Sequence, residues 1–156
     1  MRVTTAFVLL LLLPGGCRPA SRDDTAFAGV QARGEKAMGV DQYTSSHVFE
    51  PLPDGGRIVL QRDAEDPAGT AVIREHMGGI AAAFAAGDFR LPGFVHAREV
   101  PGTRVMAERR ASITYSADTL PRGGQVRIRT TDPEAIRAVH QFLAFQRADH
   151  HVGSHQ

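Results

Sequence analysis

The chain has 156 residues but only one cysteine, one lysine and no tryptophan. A single cysteine excludes an intramolecular disulfide framework and a zinc or iron–sulfur site built from cysteines. The 18 basic residues are balanced by 17 acidic residues and form no basic run, so the sequence lacks the electrostatic pattern of a nucleic-acid-binding protein. The length predicts one domain, because domains usually have about 100 to 150 residues.

The sequence motifs of common enzymes are also absent. The chain contains none of the patterns Gly-x-Ser-x-Gly, His-Glu-x-x-His, Gly-x-x-x-x-Gly-Lys-Ser/Thr and Gly-x-Gly-x-x-Gly. Without them, no nucleophile, zinc-binding helix or phosphate-binding loop is recognisable. An enzyme is therefore the less favoured class.

The N-terminal segment has the pattern of a signal peptide, predicted over residues 1–16. Arg2 provides the positive charge, and residues 6–13 are eight consecutive apolar residues, too few for a membrane span, which needs about 20. Small residues then lead to Cys17, as in the bacterial lipoprotein signal, in which this cysteine is lipidated and becomes the mature N-terminus. Pro14 departs from that pattern, and ordinary secretory cleavage beside a free cysteine is the alternative. We expect an exported lipoprotein of the bacterial cell envelope, facing the periplasm and anchored to the membrane by its lipid.

The predicted anchor can be tested by removing its sulfur. We expect Cys17→Ser to shift the protein from the membrane fraction to the soluble fraction, because serine cannot form the sulfur-linked lipid. Immunoblots of both fractions measure the distribution, with the wild-type protein as control. A variant that stays with the membrane would contradict lipidation at Cys17 and leave export untouched.

Composition and periodicity divide the rest of the chain. Residues 17–42 lack sustained apolar periodicity and are predicted to be a lipidated cysteine followed by a flexible tether. Residues 43–152 are predicted to fold as one α+β domain, and residues 153–156 to be a disordered tail. Within the domain, residues 88–110 form a long connector with many apolar residues, predicted to pack over the domain as a lid.

The predicted domain has the order ββαββα. Alternating apolar residues predict strands at 47–52, 57–62, 112–116 and 125–130, in pairs joined by turns rich in proline and glycine. Asp66 and Asp132 each precede a proline and predict the starts of two helices. The helices carry apolar stripes: Ile73, Met77, Ile80 and Phe84 in the first, and Ile136, Val139, Phe142 and Leu143 in the second. We expect an antiparallel sheet of about four strands with both helices packed on one face.

The two halves are similar, which suggests tandem ββα units at 47–87 and 111–150. The glycines of the turns align, 55–56 with 123–124. The helices align through the pairs Ile-Arg at 73–74 and 136–137 if a gap is placed after the capping aspartate. This alignment places Met77 opposite His140. The alternative is that turn and cap residues recur for local reasons.

Histidine is the one chemically versatile residue present in number, with seven copies. Four histidines within the predicted domain are candidate metal ligands: His47, His76, His96 and His140. Two methionines are weaker candidates, Met77 and Met106. Imidazole with thioether suits copper, especially Cu(I), and imidazoles alone suit zinc or Cu(II). The remaining histidines are assigned to the C-terminal tail: His150, His151 and His155.

Two long strings distinguish this sequence as a set. They are His-Val-Phe-Glu-Pro-Leu-Pro-Asp-Gly-Gly, beginning at His47, and Ala-Val-His-Gln-Phe-Leu-Ala-Phe-Gln-Arg-Ala-Asp-His-His-Val-Gly, ending at Gly153. With these strings, residues 47–153 resemble an uncharacterised family of short exported bacterial proteins. The resemblance implies export and brings no established activity.

Three classes of function are consistent with these patterns. The first is an envelope metal-binding protein for copper or zinc. The second is a non-catalytic binding or interaction domain whose histidines are structural and whose methionines fill the core. The third is a small hydrolase with His140 or His96 as general base, oriented by Glu75 or Asp149. For the third class no nucleophile is evident.

Overall fold

The computed structural model describes residues 22–150. Within this range the chain forms, in order, α1 (Arg22–Met38), β1 (Ser45–Leu52), β2 (Gly55–Arg62), α2 (Pro67–Ala85), α3 (Arg90–His96), α4 (Thr103–Glu108), β3 (Ile113–Leu120), β4 (Gly123–Thr130) and α5 (Pro133–Asp149), with short 3₁₀ turns at Gln42–Thr44 and Arg110–Ser112. The signal peptide, Cys17 and residues 153–156 lie outside the described range, and the predictions made for them stay predictions. None of the helices in this range has the length and hydropathy of a membrane span.

The four strands form one antiparallel sheet in the order β1-β2-β4-β3. Helix α2 packs against β3 and β4, and α5 packs against β1 and β2. Each long helix therefore covers mainly the strands of the other half. The α+β class, the order ββαββα and the four-stranded antiparallel sheet are confirmed, and the structure adds three shorter or peripheral helices to the two expected.

An approximate two-fold axis relates the two ββα units. It passes between Ile58 and Val126, which face each other across β2 and β4 and occupy equivalent positions in their hairpins. The neighbouring pairs follow the same relation: Leu60 faces Gly124, and Gly56 faces Ile128. The origin of this symmetry by tandem duplication stays a prediction.

The two long helices begin where the capping pattern predicts. Asp66 accepts a hydrogen bond from Gly69 N at 2.9 Å, and Asp132 accepts one from Glu134 N at 2.8 Å. These side chains satisfy amides that have no partner within the helix. In both helices the first residue is the proline that follows the aspartate.

The gapped alignment of the two helices is wrong. Arg74 and His140 lie the same number of residues after the capping aspartates of their helices. Each side chain donates a hydrogen bond to the end of a hairpin strand. Arg74 Nη2 donates to Leu120 O at 2.7 Å, and His140 Nε2 donates to Leu52 O at 2.9 Å. These carbonyl groups end the first strand of each hairpin, so they are equivalent. Arg74, and not Met77, is therefore the counterpart of His140.

Residues 22–38 form a packed helix, and the tether predicted there is wrong over this range. Helix α1 lies against α3, with Val30 and Gln31 buried, and Arg33 Nε donates to Val95 O at 2.7 Å. Gly34 interrupts its apolar side, which hides the helical period in the sequence. The apolar residues on or near this side are Phe27, Val30, Ala37 and Met38.

The connector between the two units is ordered by the short helices α3 and α4. Val100 and Met106 are buried, and α4 packs on α5. The approach is close at Gly102, where an added Cβ would lie 3.0 Å from the carbonyl carbon of Ala138 and 3.2 Å from Phe142 N. Residues 88–110 are thus an integral layer over the two long helices.

Candidate functional site

A pocket lies between the sheet and helices α1, α2, α3 and α5. Ile58 and Leu60 contribute its sheet side, and Phe84 and Phe142 line it from the two long helices. These two phenylalanine rings meet edge to face, with their centroids 5.8 Å apart. The cavity has a volume of about 80 Å³, whereas one water molecule needs about 10–15 Å³ on this kind of measure. It therefore has room for several waters or for part of a small organic molecule.

The lining is apolar except for imidazole and amide groups. Among residues 22–150, no aspartate, glutamate, lysine or arginine lines the cavity, and no serine, threonine or cysteine does. The polar side chains of the lining are those of His47, His76, His96, His150, Gln42 and Gln146. Because burying an unpaired charge is costly, this composition favours an uncharged ligand.

Three of the imidazoles form a continuous row along the lining. The His150 ring lies 5.2 Å from the His47 ring and is nearly parallel to it, and it lies 5.1 Å from the His96 ring and is perpendicular to it. The row exists because α5 ends near β1, where Arg147 donates to Phe49 O at 2.6 Å. This anchor brings the end of the helix to the strand that bears His47.

The pocket keeps two of its imidazoles in the neutral form at neutral pH. Burial lowers the pKa of His47 to about 4, with a further lowering from the nearby His76 and an opposing effect from Asp63. Burial also lowers the pKa of His76. Neutral imidazoles can accept or donate a hydrogen bond or bind a metal ion.

His96 makes the contact with Asp149 that a catalytic dyad would use. Its Nδ1 lies 2.5 Å from Asp149 Oδ2, and its Nε2 lies 2.9 Å from Gln146 Oε1. Arg98 pairs with the same carboxylate at 3.0 Å. Since both ring nitrogens are engaged and the side chain is buried, His96 joins α3 to the end of α5 and has no nitrogen left for a substrate. This geometry supports a structural role over general-base catalysis.

The structure brings together some of the predicted metal ligands and separates others. His47, His76, His96 and Met77 line the pocket. His140 does not join them: its ring bonds to Leu52 O at the far end of β1, and Leu52 lies about 16 Å from His47 at the usual rise of a strand. Met106 is buried in the core and is not part of the lining.

No family model, curated protein or solved structure matches this chain. The resemblance noted from the sequence strings stays a resemblance. The function is therefore argued from the pocket itself.

A surface groove continues the pocket between α1, α2 and α3. It has a volume of about 390 Å³ and shares Met38, His76, Ile80, Phe84 and Leu91 with the pocket. On the α2 side it also includes Val72, Glu75, Gly79 and Ala83. Within the described chain, Glu75 and His76 are the ionisable side chains of the groove, and the others are apolar, so a ligand that leaves the pocket would follow a largely apolar surface.

Sequence reasoning missed His150, Gln42 and Gln146 as pocket residues. The assignment of His150 to the tail is wrong, because this residue directly follows α5 and its ring contacts that of His47. Gln146 lies four residues before His150, on the same side of the helix, and this spacing was the available signal. Gln42 gave no signal, because its position depends on helix α1.

Proposed function

We propose that this protein is a non-catalytic binding protein of the bacterial cell envelope, and that its pocket takes a small, uncharged, mainly apolar ligand. The observation that carries this proposal is the composition of the lining. An apolar cavity with a few convergent polar groups is the usual form of a small-molecule site. The absence of charged and nucleophilic side chains from the described lining favours binding over catalysis.

The size of the pocket sets the expected affinity. Removing about 200 Å² of apolar ligand surface from water is worth about 5 kcal/mol, which sets a lower limit of about 0.2 mM on the Kd, because association itself costs free energy. A ligand that also extends along the groove would bury more area and bind more tightly. The lipid anchor and export predicted from residues 1–17 would place this site at the membrane surface, where apolar molecules are available.

The proposal is tested with the uncharged fluorophore N-phenyl-1-naphthylamine and the folded protein. We expect its emission to rise and shift to the blue on binding. Ala37→Phe, which fills the lining from α1, should weaken binding about tenfold or more, because the ring occupies the space of the ligand. The matched control is Ala32→Phe on the same helix, where the side chain is exposed and does not line the pocket. No emission change with the wild-type protein would refute the proposed function.

A second candidate is a soft metal ion, copper or zinc. It is favoured by the presence of His47 and His76 on one pocket with the thioether of Met77 beside them. Neutral imidazole is the form that binds metal, and imidazole with thioether suits Cu(I). Within residues 22–150, however, no three side chains of the types His, Cys, Asp and Glu are arranged to hold a metal ion. A metal would thus need the methionine or a rotation of the rings.

Calorimetric titration with Cu(I) and with Zn(II) tests this candidate. We expect about one equivalent at micromolar affinity if the site binds metal, and a loss of at least tenfold in His47→Ala/His76→Ala. His140→Ala is the control, since His140 lies outside the pocket and should affect stability alone. Heat of binding that survives the double variant would exclude this site.

A further inference from the structure

We propose that the ligand is an amphiphile with a hydrogen-bond donor, such as a hydroxyl group, that binds Gln42 Oε1 while its apolar part runs along the groove over Gly79. This inference rests on the proposed function and specifies the class of ligand. It depends on two independent observations, one in the pocket and one on the surface of α2.

The first observation is a buried acceptor in the lining. Gln42 is only 5% exposed, and its Nε2 lies 3.4 Å from Met38 Sδ. Its Oε1 is buried and has no hydrogen-bond partner within residues 22–150. A buried acceptor without a donor is unfavourable, so a ligand hydroxyl that reaches Oε1 from the pocket, after a small rotation of the amide, would bind here at an advantage.

The helix that covers this amide limits its movement on one side. Gly34 of α1 lies directly against Gln42, since a Cβ at Gly34 would be 2.8 Å from Gln42 Cδ and 3.0 Å from its Oε1. The amide therefore cannot move toward α1. Its contact with the pocket is maintained by the packing of that helix.

The second observation is a pair of glycines in the middle of α2. Gly78 and Gly79 each make the helix less stable than alanine would, and the fold requires neither. A Cβ built at either position meets no atom within 4 Å. Gly79 lines the groove, whereas Gly78 does not. The bare surface at Gly79 leaves space for the apolar part of a ligand.

The charge of the pocket and groove and the size of the cavity together indicate the chemistry of the ligand. The pocket is uncharged, and Glu75 alone carries charge in the described part of the groove, which disfavours an anion. The cavity of about 80 Å³ is small, so the pocket takes one end of the molecule and the groove takes the remainder. An alcohol on a hydrocarbon chain or ring meets both requirements.

Two isomers test the donor directly. 1-Octanol and 1-methoxyheptane have the same formula, but the ether cannot donate a hydrogen bond. We expect wild-type protein to bind octanol about tenfold more tightly, which corresponds to about 1.4 kcal/mol, measured by displacement of N-phenyl-1-naphthylamine and by calorimetry. The preference should disappear in Gln42→Leu. Equal affinities of the wild-type protein for the two isomers would overturn the inference even if Gln42→Leu fails to fold.

Matched control variants test the hydrogen bond and the groove separately. Gln31→Leu removes another buried, unpartnered glutamine acceptor that does not line the pocket, and it should keep the preference for octanol. Gly79→Leu should weaken octanol binding about tenfold by filling the groove, whereas Gly78→Leu should not. Equal effects of the two leucines would contradict the groove. Failure of the proposed function is recognised separately, because then neither the fluorophore nor either isomer binds.

Discussion

Gly123→Ala is expected to destabilise the protein by about 3 kcal/mol or more, a large part of the usual 5–15 kcal/mol of stability. Gly123 pairs with Gln61 between the two central strands. A Cβ at this position would overlap Leu60 O and would lie 2.8 Å from Gln61 Cα. These are backbone atoms of the neighbouring strand, so relief requires the strands to separate where the two ββα units join.

Urea unfolding monitored by circular dichroism measures this effect. The control is Gly78→Ala, which meets no atom within 4 Å and should raise stability by up to about 1 kcal/mol through helix propensity. The two substitutions add the same methyl group and are expected to act in opposite directions. A Gly123→Ala protein with the wild-type midpoint would show that the β2–β4 junction is not packed as described.

The strands and turns of the sheet could be predicted from local patterns in the sequence. Alternation of apolar residues determines which side of each strand is buried, and the glycine-rich turns determine where each hairpin reverses. Asp66 and Asp132 then mark the helix starts. These signals are local, and each is complete within a few residues. The order β1-β2-β4-β3 was not predicted, because the pairing of β2 with β4 depends on contacts between residues distant in sequence.

Helix α1 could not be predicted by the same reasoning. Its stability comes from contact with α3, through the Arg33–Val95 hydrogen bond and the burial of Val30, which are interactions distant in sequence. Gly34 is unfavourable in an isolated helix, and in the folded protein the Gln42 amide occupies the space that a side chain at this position would need. Local propensity and tertiary packing thus oppose each other at this helix.

The candidate site was predicted in part for a related reason. His76 was identified because it lies on the edge of the α2 stripe, and His47 because it begins a strand. His140 was misplaced because the helices were aligned through their Ile-Arg pairs instead of through their caps. Counting residues from the capping aspartates pairs Arg74 with His140, which is the correct alignment. With that alignment, His140 would have been assigned to a hairpin contact.

Stability is expected to fall by about 2 kcal/mol between pH 6.5 and pH 4 because of His47. Its pKa is about 4 in the folded protein and 6.5 as the model value, so the unfolded chain binds more protons in this interval and acid favours unfolding. The stability that depends on neutral His47 is fully present above pH 6.5 and is lost as the pH falls toward 4. The full difference between the two pKa values would correspond to about 3 kcal/mol of stability. The partial exposure of the ring reduces this value.

Chemical unfolding at several pH values between 4 and 7 tests this expectation, with His47→Phe as the comparison. Phenylalanine preserves ring contacts with Phe49 and His150 and removes the titrating group, so its stability should depend less steeply on pH. The shifted pKa values of Asp54, Asp88 and Asp132 are all lowered from 3.8, so these carboxyl groups act mainly below the interval. The remaining slope of the variant is assigned to His76, whose pKa is also lowered by burial. An unchanged slope in His47→Phe would show that His47 is not held neutral by the pocket, and the lining would then tolerate charge.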